Sequence, residues 1–456
     1  MLVPSAETDQ RTADEGEEKN PLASVHFLNA PEYGVLTAYS KYLSRRSKDG
    51  GLYYAKKGLA LKEEFVMKIL ITTDWYKPAV NGVVTSVVSL VDGLAAEGAE
   101  VRILTLSSDL HSYTKGNVTY LGSVGVGRIY PNARLKAAPS SRYVQELVKW
   151  CPDIVHSQCE FSTFFLARKS AEACRCPLVH TYHTVYENFT HYFSPNVRFG
   201  KYMAAAFSKK ILSGTNLVIV PTGKVKDILC GYGVRTPVTV IPSGLELNRF
   251  EAGISPGERT ALRKKLGIEE TDKVLLYLGR LAKEKNIDEL LSLFARQKNP
   301  QLKLLLVGDG PYREELERRA ESYYGTRVIF AGMVAPGEVA RYYALGDIFI
   351  SASQSETQGL TYIEAMAAGL PLLCREDPCL SGVIEDGGNG LTYSDEKEFS
   401  VKLCSLLTDS DFRRKLGSAA RETVFCGFSS AGFAERVLRA YRSLLSDAGK
   451  ELVNAA

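Results

Sequence analysis

The chain has 456 residues, of which 45% are hydrophobic, 10% aromatic and 24% charged, a composition that excludes collagen-like and wholly disordered classes. At roughly 100–200 residues per domain, two or three domains with ample core are expected. Lys and Arg number 56 against 52 Asp and Glu, an excess too small to imply nucleic-acid binding. No apolar run approaches the roughly 18–20 residues that span a bilayer, so any membrane contact is expected to be peripheral.

Residues 1–66 form a stretch of their own. They pass from an acidic segment (Glu7, Asp9, Asp14, Glu15, Glu17, Glu18) to a basic one (Lys41, Arg45, Arg46, Lys48, Lys56, Lys57) without helix or strand periodicity. No secretory signal is present in this segment. We expect a disordered, dispensable extension, or the product of an upstream start codon, with the folded enzyme starting near Met67. The nine cysteines are scattered without a CxxC pair, the closest being Cys174 and Cys176. Buried, reduced thiols and a cytoplasmic location are expected.

From Met67 apolar runs recur at 68–72, 101–106, 153–156, 178–180, 217–220 and 238–241. Between them lie helical stretches. Val84, Val87, Val88, Val91 and Leu94 make one apolar stripe, closed at Glu97-Gly98. Continuous apolar strands separated by helices predict a parallel sheet covered on both faces. The pattern then restarts, with strands at 274–279, 302–307, 328–330 and 348–350 and helices at 311–324 and 361–368. Two doubly wound α/β domains are therefore expected, 67–240 and 241–429, joined where Pro237, Pro242 and Gly244 punctuate the chain. Such pairs bind ligands where the carboxyl ends of both sheets face one cleft.

Three loops could carry chemistry there. In the first, Asp74-Trp75-Tyr76 through Asn81-Gly82-Val83 runs from a strand into a helix; its glycine admits a close ligand and its helix N-terminus offers N–H groups to an anion. Alone it reads more readily as an ordinary strand-to-helix turn. In the second, Arg280 and Lys285 follow a strand and could hold a phosphate, or be two solvated cations. The third runs from Ser355 to Pro371. Glu356 precedes a glycine turn, and Glu364 lies about one turn into the helix that follows, so the two can address different ends of one ligand. The N–H groups around Gly359, Leu360 and Thr361 suit a diphosphate. Thr361 and Glu364 also fit a capping box, although a cap needs neither Glu356 nor the Gln358-Gly359 pair.

The Glu356–Glu364 segment, Arg280 with Lys285, Val307-Gly308-Asp309-Gly310-Pro311 and Ile241-Pro242-Ser243-Gly244 together resemble retaining glycosyltransferases of the two-domain GT-B fold, family GT4. The resemblance runs from Met67 to about Tyr441, with the C-terminal helix 430–446 completing the first Rossmann-like domain. A narrower likeness is to bacterial 1,2-diacylglycerol 3-glucosyltransferases. It rests on Asp74-Trp75-Tyr76 with Asn81-Gly82-Val83, on Ile154 to Gln158 with Glu160-Phe161-Ser162, on Tyr182 to Glu187 with Thr190-His191-Tyr192, and on Gln358 where other family members often carry Phe. The long N-terminal stretch and Ser429-Ser430 depart from the family pattern.

The resemblance implies a hexose, most simply glucose from UDP-glucose, moved to diacylglycerol with retention of configuration. UDP-galactose or GDP-mannose as donor, another acceptor, or a sugar-nucleotide epimerase on the same architecture stay open. By the same resemblance, Gly82 and Val83 approach the donor diphosphate. Arg280 and Lys285 bind it and offset the charge of the leaving group. Gly359, Leu360 and Thr361 cradle it, Glu356 meets the sugar hydroxyls, Glu364 holds the ribose, and His183 lies near the reacting carbon. Glu356 is read as a positioning group, not a nucleophile. No metal or other cofactor is expected to be essential: Asp409-Ser410-Asp411 resembles a metal-binding DxD motif but reads as a helix cap. No GxGxxG follows the first strand, which disfavours a nicotinamide enzyme.

The first domain is locally basic. Residues 110–145 hold Lys115, Arg128, Arg134, Lys136 and Arg142 without an acid, and residues 188–226 past Glu187 hold Arg198, Lys201, Lys209, Lys210, Lys224 and Lys226. Phe199, Tyr202, Met203, Ala206 and Phe207 recur there at helical spacing beside Lys201, Lys209 and Lys210. A helix with apolar and cationic faces suits an anionic membrane, each cation contributing about 1 kcal/mol near the surface. It is equally a core helix with a basic rim. Peripheral contact with the inner face of the cell membrane is expected.

Overall fold

The computed structural model describes residues 66–126, 134–137, 141–192, 196–251 and 253–454. The expectations for residues 1–65 and for Arg128 lie outside these. The first lobe is built on a sheet of eight strands: β1 (Lys68–Thr72), β2 (Glu100–Leu106), β3 (Tyr113–Lys115), β4 (Val118–Leu121), and, beyond the small hairpin of β5 (Ser123–Gly125) and β6 (Arg134–Lys136), β7 (Ile154–Ser157), β8 (Leu178–Thr181), β9 (Leu217–Val220) and β10 (Val238–Val240). Their order is β10-β9-β8-β7-β1-β2-β4-β3, parallel except for β3. The second sheet holds β11 (Lys273–Leu278), β12 (Leu302–Val307), β13 (Val328–Gly332), β14 (Ile348–Ser351), β15 (Leu372–Arg375) and β16 (Leu391–Tyr393). Its order is β13-β12-β11-β14-β15-β16, with every pair parallel.

Helices cover these sheets. The first lobe carries α1 (Gly82–Ala96), α2 (Ser141–Trp150), α3 (Ser162–Cys174), α4 (Val197–Leu212) and α5 (Gly223–Gly231). The second carries α6 (Pro256–Lys265), α7 (Ile287–Ala295), α8 (Arg313–Tyr324), α9 (Val339–Tyr343), α10 (Leu360–Ala367), α11 (Glu396–Thr408) and α12 (Ser410–Gly427), and α13 (Ser430–Asn454) follows. Strands such as β9 (Leu-Val-Ile-Val) are buried along their whole length, as a sheet covered on both faces demands. Two expectations are met by short-range detail. Glu97 is the C-cap of α1, with Gly98 at φ +82°. Asp409 caps α12 through the N–H groups of Asp411 and Phe412.

The two lobes are joined twice, side by side. The segment after β10 passes the turn between α12 and α13: Leu245 N–H donates to the Phe428 carbonyl and Ser430 N–H to that of Leu245. Ser429, a departure from the family pattern, accepts from Gly432 N–H at 3.2 Å and so caps α13. Helix α13 then returns to the first lobe, where Tyr441 Oη meets His156 Nδ1 at 2.5 Å.

Gly93, in the last turn of α1, shows how closely α13 lies. A Cβ on Gly93 would sit 2.7 Å from Ala434 Cβ and 2.9 Å from the Ser430 carbonyl oxygen. Helix propensity favours Ala over Gly by about 1 kcal/mol, while forcing a methyl into a packed contact costs about 1–3 kcal/mol. The obstacle includes backbone, so the steric cost wins. Gly93→Ala is expected to lower stability by about 1 kcal/mol and Gly93→Val by more, measured by urea unfolding; a more stable Gly93→Ala would show that α13 yields.

Candidate functional site

The loops at the carboxyl ends of both sheets meet. Asn81 caps α1 by accepting from Val84 N–H at 2.9 Å. This leaves the first N–H groups of the helix, at Gly82 and Val83, outside the intrahelical ladder. Opposite stands the N-terminus of α10. Gly359 precedes it at φ +75°, where a Cβ would lie 2.5 Å from the Tyr362 ring, so only glycine serves. A Cβ on Gly82 would sit 3.8 Å from Leu360 Cδ1. Two helix N-termini from different lobes thus converge, and with them the positive ends of two helix dipoles.

The cations and carboxylates gather around these ends. Lys285 Nζ donates to Glu356 Oε1 at 2.7 Å. Burial raises the pKa of Glu356, but Lys285 and the surrounding hydrogen bonds outweigh it and hold the carboxyl below its ordinary range. Arg280 pairs with Glu284, one turn further on. The Gly279–Ala282 backbone lies tight against Gly308 and Gly310, where added Cβ atoms would fall 2.0 Å from the Gly279 oxygen and 2.2 Å from the Leu281 oxygen. Those two glycines therefore fix the path of the loop that carries Arg280. Glu364 accepts from Arg249 Nη2 at 2.6 Å and Tyr343 Oη at 3.0 Å. Burial raises its pKa, partly offset by Arg249. Glu364 is thus not the partner of Thr361 in a capping box: α10 has no side-chain cap.

On the first lobe, His183 is half-buried at the end of β8, and its Nε2 lies 2.8 Å from Gln158 Oε1. Burial, with His180 nearby, lowers its pKa to about 3, so the ring is neutral near pH 7. With Gln158 Oε1 as acceptor, Nε2 carries the proton and Nδ1 is left as an acceptor. Sequence reasoning missed Arg249 and Tyr343, because one lies in the crossover and the other in a five-residue helix, and only the fold brings them to Glu364. The role of Gln358 was legible only as a departure from Phe. Its amide accepts from Ser243 N–H and donates to the Ser243 carbonyl, both at 2.9 Å, a pairing that no Phe could make.

The basic face of the first lobe is sorted by the fold. Phe199, Tyr202 and Met203 on α4 are 57%, 71% and 45% exposed, with Lys201, Lys209 and Lys210 also in solvent. Phe207 is a correction: it turns inward and stacks on Phe161 at 5.9 Å. Arg134 is another, since it ties the carbonyls of Ser107, Ser108 and Ser123 together and is no free cation. Lys224 is the third, being turned toward the second lobe. Among the described residues no helix is long and apolar enough to cross a membrane, and no group of three or more His, Cys, Asp or Glu side chains is placed to hold a metal ion. All nine cysteines are free of disulfides.

Asp74, in the first loop, is buried with Oδ1 accepting from Thr163 N–H at 2.9 Å and Oδ2 without a partner among the described residues. Burial raises its pKa from 3.8 to about 6, equivalent to about 3 kcal/mol. Well below pH 3.8 the group is protonated folded or unfolded and no penalty exists. As pH rises toward 6 the unfolded chain ionises first, so this part of the stability is lost. Asp74→Asn is expected to lack that decline between pH 4 and 7 in urea titrations; a parallel decline in the variant would refute it.

The chain matches the family model for glycosyltransferase family 4 over residues 80–249 and that for glycosyl transferases group 1 over residues 258–423. It is 37% identical over 346 residues to an alpha-monoglucosyldiacylglycerol synthase of Streptococcus pneumoniae, covering 75% of this chain and 78% of that protein. It is 35% identical over 345 residues to the protein of the same name from Acholeplasma laidlawii, covering 73% and 86%. In fold it is similar to Anabaena HepE, solved with UDP and glucose, at a TM-score of 0.67 and 19% identity over 83% of this chain and 100% of that one. Two parallel-sheet lobes, the convergent helix ends and these likenesses agree: the chain belongs to the GT4 family of group 1 glycosyltransferases and is a glycosyltransferase of the GT-B fold.

Proposed function

We propose that the protein is a retaining hexosyltransferase that moves glucose from UDP-glucose to 1,2-diacylglycerol at an anionic membrane surface, the inner face of the cell membrane. The observation that carries this reading is the convergence of the α1 and α10 N-termini at Gly82 and Leu360, beside Lys285, Glu356 and Arg280 of the second lobe. Helix ends and cations together favour a dianionic diphosphate. Val83, Gly359 and Thr361 belong to the same cradle, and Glu364, fixed by Arg249 and Tyr343, is offered to the ribose hydroxyls. The acceptor follows from the relatives' name and from α4, whose apolar residues and lysines face solvent together.

In the reaction the bond from C1 of the sugar to the phosphate oxygen breaks while C1 bonds to the acceptor oxygen on the same face. The proton of the acceptor hydroxyl passes to the departing phosphate. Arg280, Lys285 and the helix ends offset the growing negative charge where it develops, so a metal ion is not required. Glu356 stays ionised against Lys285 and orients sugar hydroxyls. The neutral His183 presents Nδ1 as an acceptor without adding positive charge beside the electron-poor ring.

The test is incubation of the full chain with labelled UDP-glucose, UDP-galactose or GDP-mannose and diacylglycerol vesicles. Lipid-extractable label from UDP-glucose is expected, with Arg280→Ala or Lys285→Ala slower by about 10²–10³-fold. Label from another nucleotide would correct the donor. A donor altered without lipid would favour an epimerase. Separately, Lys209→Glu with Lys210→Glu is expected to weaken sedimentation with anionic vesicles; unchanged sedimentation would remove α4 as the contact.

A further inference from the structure

The loop that carries Glu356 is held largely by the opposite lobe. Four successive carbonyl oxygens, at residues 354 to 357, accept from side chains of the first lobe. Lys224 Nζ donates to the Gln354 oxygen at 2.9 Å and to the Glu356 oxygen at 3.2 Å. Asn188 Nδ2 donates to the Ser355 oxygen at 3.3 Å. Thr222 Oγ1 donates to the Thr357 oxygen at 2.7 Å. Thr222 stands at the N-cap of α5, yet its hydroxyl makes no cap bond there; the group best suited to close its own helix is spent on the other lobe. Lys224 also meets both carboxylate oxygens of Asp377, at 2.8 and 2.7 Å, and Asp377 accepts from Cys379 N–H at 2.8 Å. The Lys224 side chain is 12% exposed and that of Asp377 4%. An ammonium has three N–H donors, and here they are shared among a carboxylate and two carbonyls. A cation so enclosed is committed to these partners, because leaving it unpaired would forfeit its hydration without compensation.

We infer that Lys224 is a positioning residue of the donor site: it docks loop 354–357 on the first lobe, so that closure of the lobes and placement of the Glu356 carboxylate are one event. This rests on the donor site proposed above and adds a residue to it. Nucleotide binding calls on Arg280, Lys285 and Glu364 in the second lobe and on the α1 N-terminus, which the Gln358, Ser243 and Ser86 hydrogen bonds hold without Lys224, so it does not need the dock. Transfer needs Glu356 in place against the sugar and therefore does. Lys224 should thus separate turnover from nucleotide affinity, which a residue of merely structural importance would not.

The experiment compares the full chain with Lys224→Met, Lys224→Arg and Thr222→Val. UDP affinity is measured by titration calorimetry, and kcat and KM with UDP-glucose and diacylglycerol vesicles. Lys224→Met is expected to bind UDP within about threefold of the unaltered chain and to lose kcat by tenfold or more, with Lys224→Arg recovering part of the loss because the charge is kept. Thr222→Val strands no charge, so it keeps the test alive should Lys224→Met not fold; its kcat is expected to fall in the same direction. Undiminished kcat in Thr222→Val and in a folded Lys224→Met overturns the inference alone. Loss of UDP affinity in step with kcat also overturns it. Failure of the unaltered chain to bind UDP overturns the donor site and the inference together.

Discussion

The Gln358 amide holds the backbone of Ser243 from both sides, and the Ser243 hydroxyl is in turn 2.7 Å from that of Ser86 on α1. Three segments are pinned at this point: the crossover between the lobes, the helix whose N-terminus faces the cleft, and the loop that leads into α10. All three residues are buried, so each hydrogen bond replaces water that is no longer present and would be costly to leave unmade. The approach of Gly82 to Leu360 depends on this pin. If Ser243 shifted, the two helix ends would part and their dipoles would no longer act on one anion.

The charges around the pinned cleft are also paired. Lys285 sits on Glu356, Arg280 on Glu284, Arg249 on Glu364 and Lys224 on Asp377. Two unit charges 4 Å apart interact by about 4 kcal/mol at an effective dielectric of 20, enough to hold the side chains in place. The first two pairs lie on loops beside the helix ends, and in the proposed reading they share their cations with a diphosphate. The Lys224 pair is enclosed and is satisfied by protein alone. Pairing therefore divides the cations into those available to a ligand and those that fix geometry, although all of them are Lys or Arg in the sequence.

This division explains what the sequence revealed and what it hid. Strand-length apolar runs and glycine stops are local signals, and β1, β9 and α1 follow them closely. Two short strands, β4 and β16, carry only three or four residues each and are defined by their neighbours in the sheet, so no run announced them. At the site, Arg280, Lys285, Glu356 and Glu364 were legible because each follows a strand or opens a helix. Lys224 read as one more cation of a basic rim. Nothing local sets it apart from the other lysines there, and only the arrival of Asp377 from 153 residues away gives it another role. Phe207 was misplaced for a similar reason: helical spacing put it near Phe199 and Tyr202, but stacking on Phe161 decided its direction.

The two sides of the cleft differ in charge in the same sense as the proposed reaction. Breaking a sugar–phosphate bond leaves positive character on the ring and negative charge on the phosphate. Arg280 and Lys285 belong to the second lobe, where the phosphate would depart. The first lobe offers His183, kept neutral by burial. An imidazolium at position 183 would repel a positive ring; a neutral imidazole does not. In the proposed reaction, burial of one histidine would thus serve the sugar side as the two cations would serve the phosphate side. Fixed polarity of this kind stabilises a transition state more than a ground state, because the charges it complements exist only while the bond is breaking.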